Sequence, residues 1–145
     1  MEKIKVLMID DNTSLVDMVK EYFNQNKNIE ITLTAHDGQE GIELIENNQG
    51  EFDVVLLDLI MPKKDGLYVL EQVKKKKIDC DIIVETSYNS QEVIREVSEH
   101  NVNYFILKPF ELEDLENRII DVVNSKTKIP KISKNSMKTM TMMTT

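Results

Sequence analysis

The chain has 145 residues, of which 41% are hydrophobic and 30% charged, a composition typical of one globular domain with a single core. No apolar stretch approaches the roughly 18 residues that a membrane span requires, and the first residues lead directly into a strand pattern, so we expect a cytoplasmic protein without membrane contact. The net charge is −8, and five of the 18 basic residues follow residue 125, which leaves 13 bases against all 26 acids before it. Because so acidic a body repels phosphate groups, we expect no DNA binding by this domain alone.

Apolar runs rich in Val, Ile and Leu alternate along the chain with stretches of helical spacing. The runs predict strands at residues 3–9, 29–35, 53–57, 81–86 and 103–107. The spacing predicts helices at 15–23 after a cap at Asn12 or Thr13, after the capping box Asp37–Glu40, and at 66–76, 90–100 and 111–124. Strict strand–helix alternation predicts an α/β domain whose doubly wound five-stranded parallel sheet has the order 2-1-3-4-5.

The last part of the chain has a different composition. Residues 125–145 lack a hydrophobic period, are rich in Lys, Thr, Ser and Met, and contain Pro130. We predict a folded domain at 1–124 followed by a flexible tail or the beginning of a linker. The methionines could instead form an amphipathic contact segment, but they lack helical spacing.

Acidic residues end the first and third predicted strands. Asp10 and Asp11 follow the first strand, and Asp58 follows the third. In the order 2-1-3-4-5 these strands are neighbours at the switch point, where their carboxyl ends meet at one edge of the sheet. Oxygen ligands in one crevice suit a hard divalent cation, Mg²⁺ above all. Taken singly, each aspartate could equally be a helix cap or a turn former.

Two further polar residues end the fourth and fifth strands. Thr86 offers a hydroxyl group and Lys108 an ammonium group. Acids, a hydroxyl and a lysine at four strand ends suit phosphoryl transfer, which depends on positioning and charge neutralisation. A lone lysine before proline is usually a solvated surface residue. The prediction therefore depends on all of these residues occurring together at four strand ends.

Four motifs, IDDN (9–12), LLDLIMPKKDG (56–66), ET (85–86) and LKPF (107–110), resemble those of the receiver domain of two-component response regulators. The resemblance covers residues 3 to about 124 and implies the CheY-like, flavodoxin-like fold. It implies that Asp58 accepts a phosphoryl group from a phosphohistidine on a sensor histidine kinase or histidine phosphotransferase. It further implies an Mg²⁺ site formed by Asp10, Asp11, Asp58 and the backbone carbonyl of Ile60.

The resemblance also implies how phosphorylation is sensed. Lys108 would pair with the phosphoryl group, and its peptide bond to Pro109 would be cis. Thr86 would move to bond the phosphate, and Phe105 would be the paired switch aromatic, although a plain core aromatic is the alternative. A homodimer formed on phosphorylation is a further expectation.

One residue departs from the family pattern. Glu85, directly before Thr86, stands where an apolar residue is usual, and a carboxylate inside a strand end is costly unless it is bonded or reaches solvent. It could pair with a nearby lysine, or the following loop could be rearranged. Ser87 also replaces the usual alanine. Both departures concern the switching step more than phosphorylation.

Several functions are open at this stage. The stretches MEKIKV (1–6) and YFILKPF (104–110) are similar to those of sporulation-type transcription regulators, which would make this chain a receiver followed by a linker to an output domain. A stand-alone phosphorelay carrier and a pseudo-receiver that binds partners without phosphate are alternatives. A Mg²⁺-dependent phosphatase with an aspartate nucleophile would carry a D-x-D motif at one strand end and a cap domain. Here the first strand ends in two adjacent aspartates, and the chain is too short for a cap domain. We therefore expect no enzyme beyond catalysis of the chain's own phosphorylation and dephosphorylation.

Overall fold

The computed structural model describes residues 2–61, 64–87, 91–100, 102 and 104–128, without the side chains of 92 and 126–128. The strands are β1 (Ile4–Ile9), β2 (Ile29–Ala35), β3 (Val54–Asp58), β4 (Asp81–Thr86) and β5 (Tyr104–Leu107). The helices are α1 (Thr13–Asn24), α2 (Gly38–Asn47), α3 (Gly66–Lys75), α4 (Gln91–Ser98) and α5 (Leu112–Lys128). The strands pair in parallel in the order β2-β1-β3-β4-β5, which confirms the predicted fold class.

Side-chain caps fix the starts of three helices. The Asn12 side chain accepts a hydrogen bond from the backbone N–H of Leu15 (3.1 Å), and Asp37 accepts one from Glu40 (2.8 Å). Asp65 caps α3 in the same way. Each cap satisfies an N–H that has no partner inside its helix, so α1 and α2 begin where the sequence predicts.

The core lies on both faces of the sheet. Successive strand residues point to opposite faces, so Leu7 and Ile9 pack in the cluster beneath α2, α3 and α4, while Val6 and Met8 pack beneath α1 and α5. The same alternation places Asp58 on the α1–α5 face, next after Leu56 of that face. The functional edge of the sheet is therefore anchored by strands buried on both sides.

Two element boundaries differ from the prediction. Asp58 is the last residue of β3 rather than the residue beyond it, and it pairs with Glu85 of β4. Helix α5 continues to Lys128, four residues past the predicted end at 124, because no glycine or proline stops it before Pro130. The rest of the predicted tail, residues 129–145, lies outside the described residues. In the described part of the chain, every helix is too short or too polar to cross a bilayer.

The start of α3 packs directly on the end of β3. The backbone N–H of Gly66 donates to the carbonyl of Leu59 (3.0 Å), and a Cβ at Gly66 would lie 2.6 Å from the carbonyl oxygen of Asp58. Any larger residue would push the helix from the strand, so glycine is required here by the close approach of two backbones.

Candidate functional site

Three carboxyl groups meet at the carboxyl ends of β1 and β3. One oxygen each from Asp10, Asp11 and Asp58 lies within 4.8 Å of the others. Asp10 is 0% exposed and Asp58 is 4% exposed, whereas Asp11 is open to solvent. The predicted convergence of these aspartates is confirmed.

Lys108, which follows β5, bridges two of these carboxyl groups. Its Nζ lies 3.2 Å from Oδ2 of Asp10 and 3.4 Å from Oδ2 of Asp58. Its backbone N–H donates to the carbonyl of Thr86 (2.9 Å), and its peptide bond to Pro109 is cis, as the resemblance implies. The ammonium group therefore reaches across β4 to the buried acids.

Backbone donors hold the two buried carboxyl groups in place. The N–H of Asn12 donates to Oδ1 of Asp10 (2.9 Å), and the N–H of Ile60 donates to Oδ1 of Asp58 (3.3 Å). Each acid thus has one oxygen on a backbone N–H and the other on the shared lysine. This arrangement fixes the side-chain orientation of both acids before any ligand arrives.

The two buried acids differ in acidity. Burial and the negative charge of Asp10 raise the pKa of Asp58 to about 7, against the opposing effects of Lys108 and the Ile60 N–H. Burial also acts to raise the pKa of Asp10, but contacts with Glu85, the Asn12 N–H and Lys108 outweigh it and lower that pKa below its usual value. Asp10 therefore keeps its charge, while Asp58 titrates near neutral pH in the absence of a further cation.

Glu85 is a site residue that the sequence analysis did not place in the site. It is 0% exposed, it pairs with Asp58 in the β3–β4 register, and its Oε1 lies 4.0 Å from Nζ of Lys108. Burial and contact with Asp10 raise the pKa of Glu85 well above its usual value. The sequence did offer one signal, which is an acidic residue within an otherwise apolar strand. If the ends of β3 and β4 are aligned, this residue pairs with Asp58.

Thr86 and Phe105 occupy other surroundings, and Ile60 lies beside the site. Thr86 is buried opposite Leu107, and strand alternation directs it to the face of β4 opposite to that of Glu85. Phe105 is buried in the α2–α4 cluster, as a core aromatic would be. Ile60 is 54% exposed beside the site, and its N–H contacts Asp58. The phosphate contact of Thr86, the switch role of Phe105 and the carbonyl ligand of Ile60 stay predictions.

The donor set fits magnesium. Oxygen atoms of Asp10, Asp11 and Asp58 lie within 4.8 Å of one another, and among the described residues Lys108 is the cation that contacts two of them. Magnesium binds one or two carboxylates in proteins and keeps waters that a phosphate group can replace. A divalent cation would also offset the negative charge of Asp10, which adds to burial in raising the pKa of Asp58.

Comparison with known proteins agrees with this geometry. The family model of the response regulator receiver domain matches residues 6–120. The chain belongs to this family. Domains of this family are the phosphoacceptor domains of two-component systems, and they generally bind Mg²⁺ at an acidic pocket. The resemblance that the motifs indicated is confirmed.

Relatives of this receiver domain include both regulators and isolated domains. The probable C4-dicarboxylate response regulator DctR of Bacillus subtilis (strain 168) is 34% identical over 125 residues, which cover 86% of this chain and 54% of the relative. The chain thus spans about half the length of that regulator. The narrower likeness to sporulation-type regulators gains no support from it.

Solved structures share the fold closely. The receiver domain of Francisella response regulator 1452 has a TM-score of 0.74 and 28% identity, covering 87% of this chain and all of that one. CheY of Borrelia burgdorferi, in a complex with CheX, BeF3 and magnesium, has a TM-score of 0.75 and 25% identity, covering 82% of this receiver and 88% of that chain.

Proposed function

We propose that this receiver accepts a phosphoryl group on Asp58 from a phosphohistidine of a sensor histidine kinase or histidine phosphotransferase. The observation that supports this most directly is Lys108 lying between Asp10 and Asp58 at the carboxyl edge of the sheet. Such a lysine is placed to meet an oxygen of a phosphoryl group attached to Asp58. In the proposed site Asp10, Asp11 and the Ile60 carbonyl hold Mg²⁺ together with Asp58.

The proposed reaction is an in-line displacement at phosphorus. A carboxylate oxygen of Asp58 forms the new P–O bond while the P–N bond to the donor histidine breaks and its electron pair returns to the imidazole nitrogen. Bound magnesium supplies charge neutralisation at the phosphoryl oxygens. The N–H of Ile60 keeps Asp58 oriented, and Lys108 offsets the charge that remains on the acids.

We propose that this chain is the receiver part of a transcription regulator. DctR is a longer regulator, and a further solved relative is described as a DNA-binding response regulator of the LuxR family from Staphylococcus aureus, with 25% identity and a TM-score of 0.74, covering 83% of this chain and 99% of that one. Residues 1–6 and 104–110 favour the narrower version, a sporulation-type regulator. The natural length of the gene product separates both from a stand-alone phosphorelay carrier.

The receiver is proposed to act in the cytoplasm without turnover of other phosphate esters. Adjacent Asp10 and Asp11 in place of a D-x-D pair support a switch over an aspartate-nucleophile phosphatase. Steady hydrolysis of p-nitrophenyl phosphate would favour the phosphatase. A homodimer on phosphorylation is tested by the elution volume of the protein before and after phosphorylation.

The proposed function is tested by intact-mass measurement after incubation with Mg²⁺ and acetyl phosphate. The wild type is expected to gain the mass of one phosphoryl group, and Asp58→Asn to gain none. Asp53→Asn, which alters an acid just before β3 that accepts a bond from the Lys5 N–H (2.8 Å), is the matched control and is expected to react like the wild type. Equal phosphorylation of Asp58→Asn would contradict the proposal.

A further inference from the structure

The buried carboxyl group of Glu85 has no evident role in the stability of the fold. It is 0% exposed on the α1–α5 face of β4, in line with Ile83, which packs in the apolar cluster of that face. Within the described part of the chain, neither of its oxygens has an N–H or O–H donor. Burying an acid in such a position costs free energy, and an apolar residue of similar shape would avoid that cost.

The surroundings of Glu85 are groups of the phosphoryl-transfer site. Its carboxyl group lies within hydrogen-bonding reach of the Asp10 carboxyl group, and its Oε1 lies 4.0 Å from Nζ of Lys108. Oδ2 of Asp10 and Nζ of Lys108 are themselves 3.2 Å apart. Glu85 thus lies beside both members of this pair and is itself fully buried.

We propose that Glu85 is a positioning residue, whose buried carboxyl group fixes Asp10 and Lys108 in the orientation that receives magnesium and the phosphoryl group. The inference rests on the function proposed above and extends it to a residue that departs from the family pattern. Asp10 is then held on three sides, by the Asn12 N–H, by Lys108 and by Glu85.

The contact between Glu85 and Asp10 has a chemical requirement. Two carboxyl groups in contact attract each other only when one of them donates a hydrogen to the other. A glutamine at this position can donate to Asp10 through its amide N–H and accept from Lys108 through its amide oxygen. A methionine fills a similar volume and can do neither.

The experiment compares the wild type with Glu85→Gln, Glu85→Met and the control Ile83→Val, which trims the same face of the same strand. Mg²⁺ affinity is measured by calorimetry at one pH, and the free energy of unfolding by denaturant titration without Mg²⁺. Partners that orient metal ligands typically contribute 10–100-fold in affinity. We expect Glu85→Met to weaken Mg²⁺ binding at least about tenfold with unchanged or increased stability, and Glu85→Gln to bind like the wild type.

Ile83→Val is expected to lose stability and keep its Mg²⁺ affinity, which separates loss of packing from loss of positioning. Wild-type affinity in Glu85→Met, or an equal loss in Glu85→Gln and Glu85→Met, would overturn the inference. So would a wild type that binds no Mg²⁺. A wild type that binds Mg²⁺ but gains no phosphoryl group from acetyl phosphate would contradict the proposed function and leave the affinity comparison to decide the role of Glu85.

Discussion

Asp58 and Glu85 are register partners on β3 and β4, and both side chains are buried on the face of the sheet that α1 and α5 cover. Two acids side by side at the end of neighbouring strands oppose each other's ionisation. Lys108 lies 3.4 Å from the first and 4.0 Å from the second. The site therefore stores unfavourable charge that a cation or a change of protonation can relieve.

The pH dependence of stability follows from Asp58. Its pKa in the folded protein, about 7, lies above the ordinary value of 3.8, so the folded state binds more protons than the unfolded state between these values. The free energy of unfolding without Mg²⁺ should therefore fall as the pH rises from about 4 to about 7. Asp58→Asn should weaken this dependence and raise the free energy of unfolding at pH 8 by about 1–2 kcal/mol.

Denaturant titrations of the wild type and Asp58→Asn across this pH range check the prediction. Asp53→Asn serves again as the control, because it changes the formal charge by the same amount at the opposite end of β3. Parallel pH profiles for the wild type and Asp58→Asn would show that Asp58 ionises normally.

Lys108→Gln removes the ammonium group from Asp10 and Asp58. Because Lys108 lowers the pKa of Asp58, its loss should raise that pKa above about 7, as measured by carboxyl ¹³C NMR titration. At pH 8 we expect a loss of about 1–2 kcal/mol in the free energy of unfolding, less than the 3–5 kcal/mol of a fully buried pair because the lysine is partly exposed.

The exposed pair of Lys76 and Glu46 provides the matched control for this charge removal. Lys76→Gln should change the free energy of unfolding by less than about 1 kcal/mol, as surface pairs do. If Lys76→Gln lowered the free energy of unfolding as much as Lys108→Gln, the loss of one lysine charge would explain both effects, and the position of Lys108 in the site would not.

Removal of magnesium should destabilise the receiver. A free concentration ten times the dissociation constant stabilises the folded state by about 1.4 kcal/mol, and chelation should remove that gain. The stabilisation by Mg²⁺ should be larger at pH 8 than at pH 5, because Asp58 binds the metal in its ionised form and its pKa is about 7. Thermal or denaturant unfolding with Mg²⁺ and with chelator measures it. Asp11→Asn, which removes an exposed predicted ligand, should show little response, and an unchanged response would exclude Asp11 as a ligand.

Gly66→Ala should disturb the site through the backbone. Its Cβ would lie 2.6 Å from the carbonyl oxygen of Asp58 and 2.8 Å from Cα of Leu59, so the start of α3 or the end of β3 must shift. We expect a loss of about 1–3 kcal/mol in the free energy of unfolding, together with weaker Mg²⁺ binding. Gly50 has a positive φ of 84°, and a Cβ added there would have no neighbouring atom within 4 Å. Gly50→Ala should therefore lower the free energy of unfolding without changing Mg²⁺ affinity. Weaker binding in both variants would attribute the effect to general destabilisation.

Sequence reasoning located the site because parallel strands place their carboxyl ends at one edge. The positions of Asp10, Asp58 and Lys108 follow from strand order alone, and side-chain periodicity predicted all five strands to within one residue at each end. The start of α1 was also predicted, because Asn12 and Thr13 both have side chains that can cap a helix, and the structure shows Asn12 as the cap.

The role of Glu85 could not be read in the same way. Its place beside Asp58 depends on the register between β3 and β4, and a slip of one residue would turn it to the other face of the sheet. The end of α5 at Lys128 was missed because helix ends without glycine or proline carry no local signal. Tertiary contacts decide both features.

The central claim is that the carboxyl group of Asp58 becomes an acyl phosphate. Borohydride reduces an aspartyl phosphate to homoserine, so peptide mass spectrometry after treatment with acetyl phosphate, Mg²⁺ and borohydride locates the modified residue. Homoserine at position 58, with Asp10 and Asp11 unchanged, is the predicted result. Homoserine at position 10 or 11, or none anywhere in the chain, would contradict it.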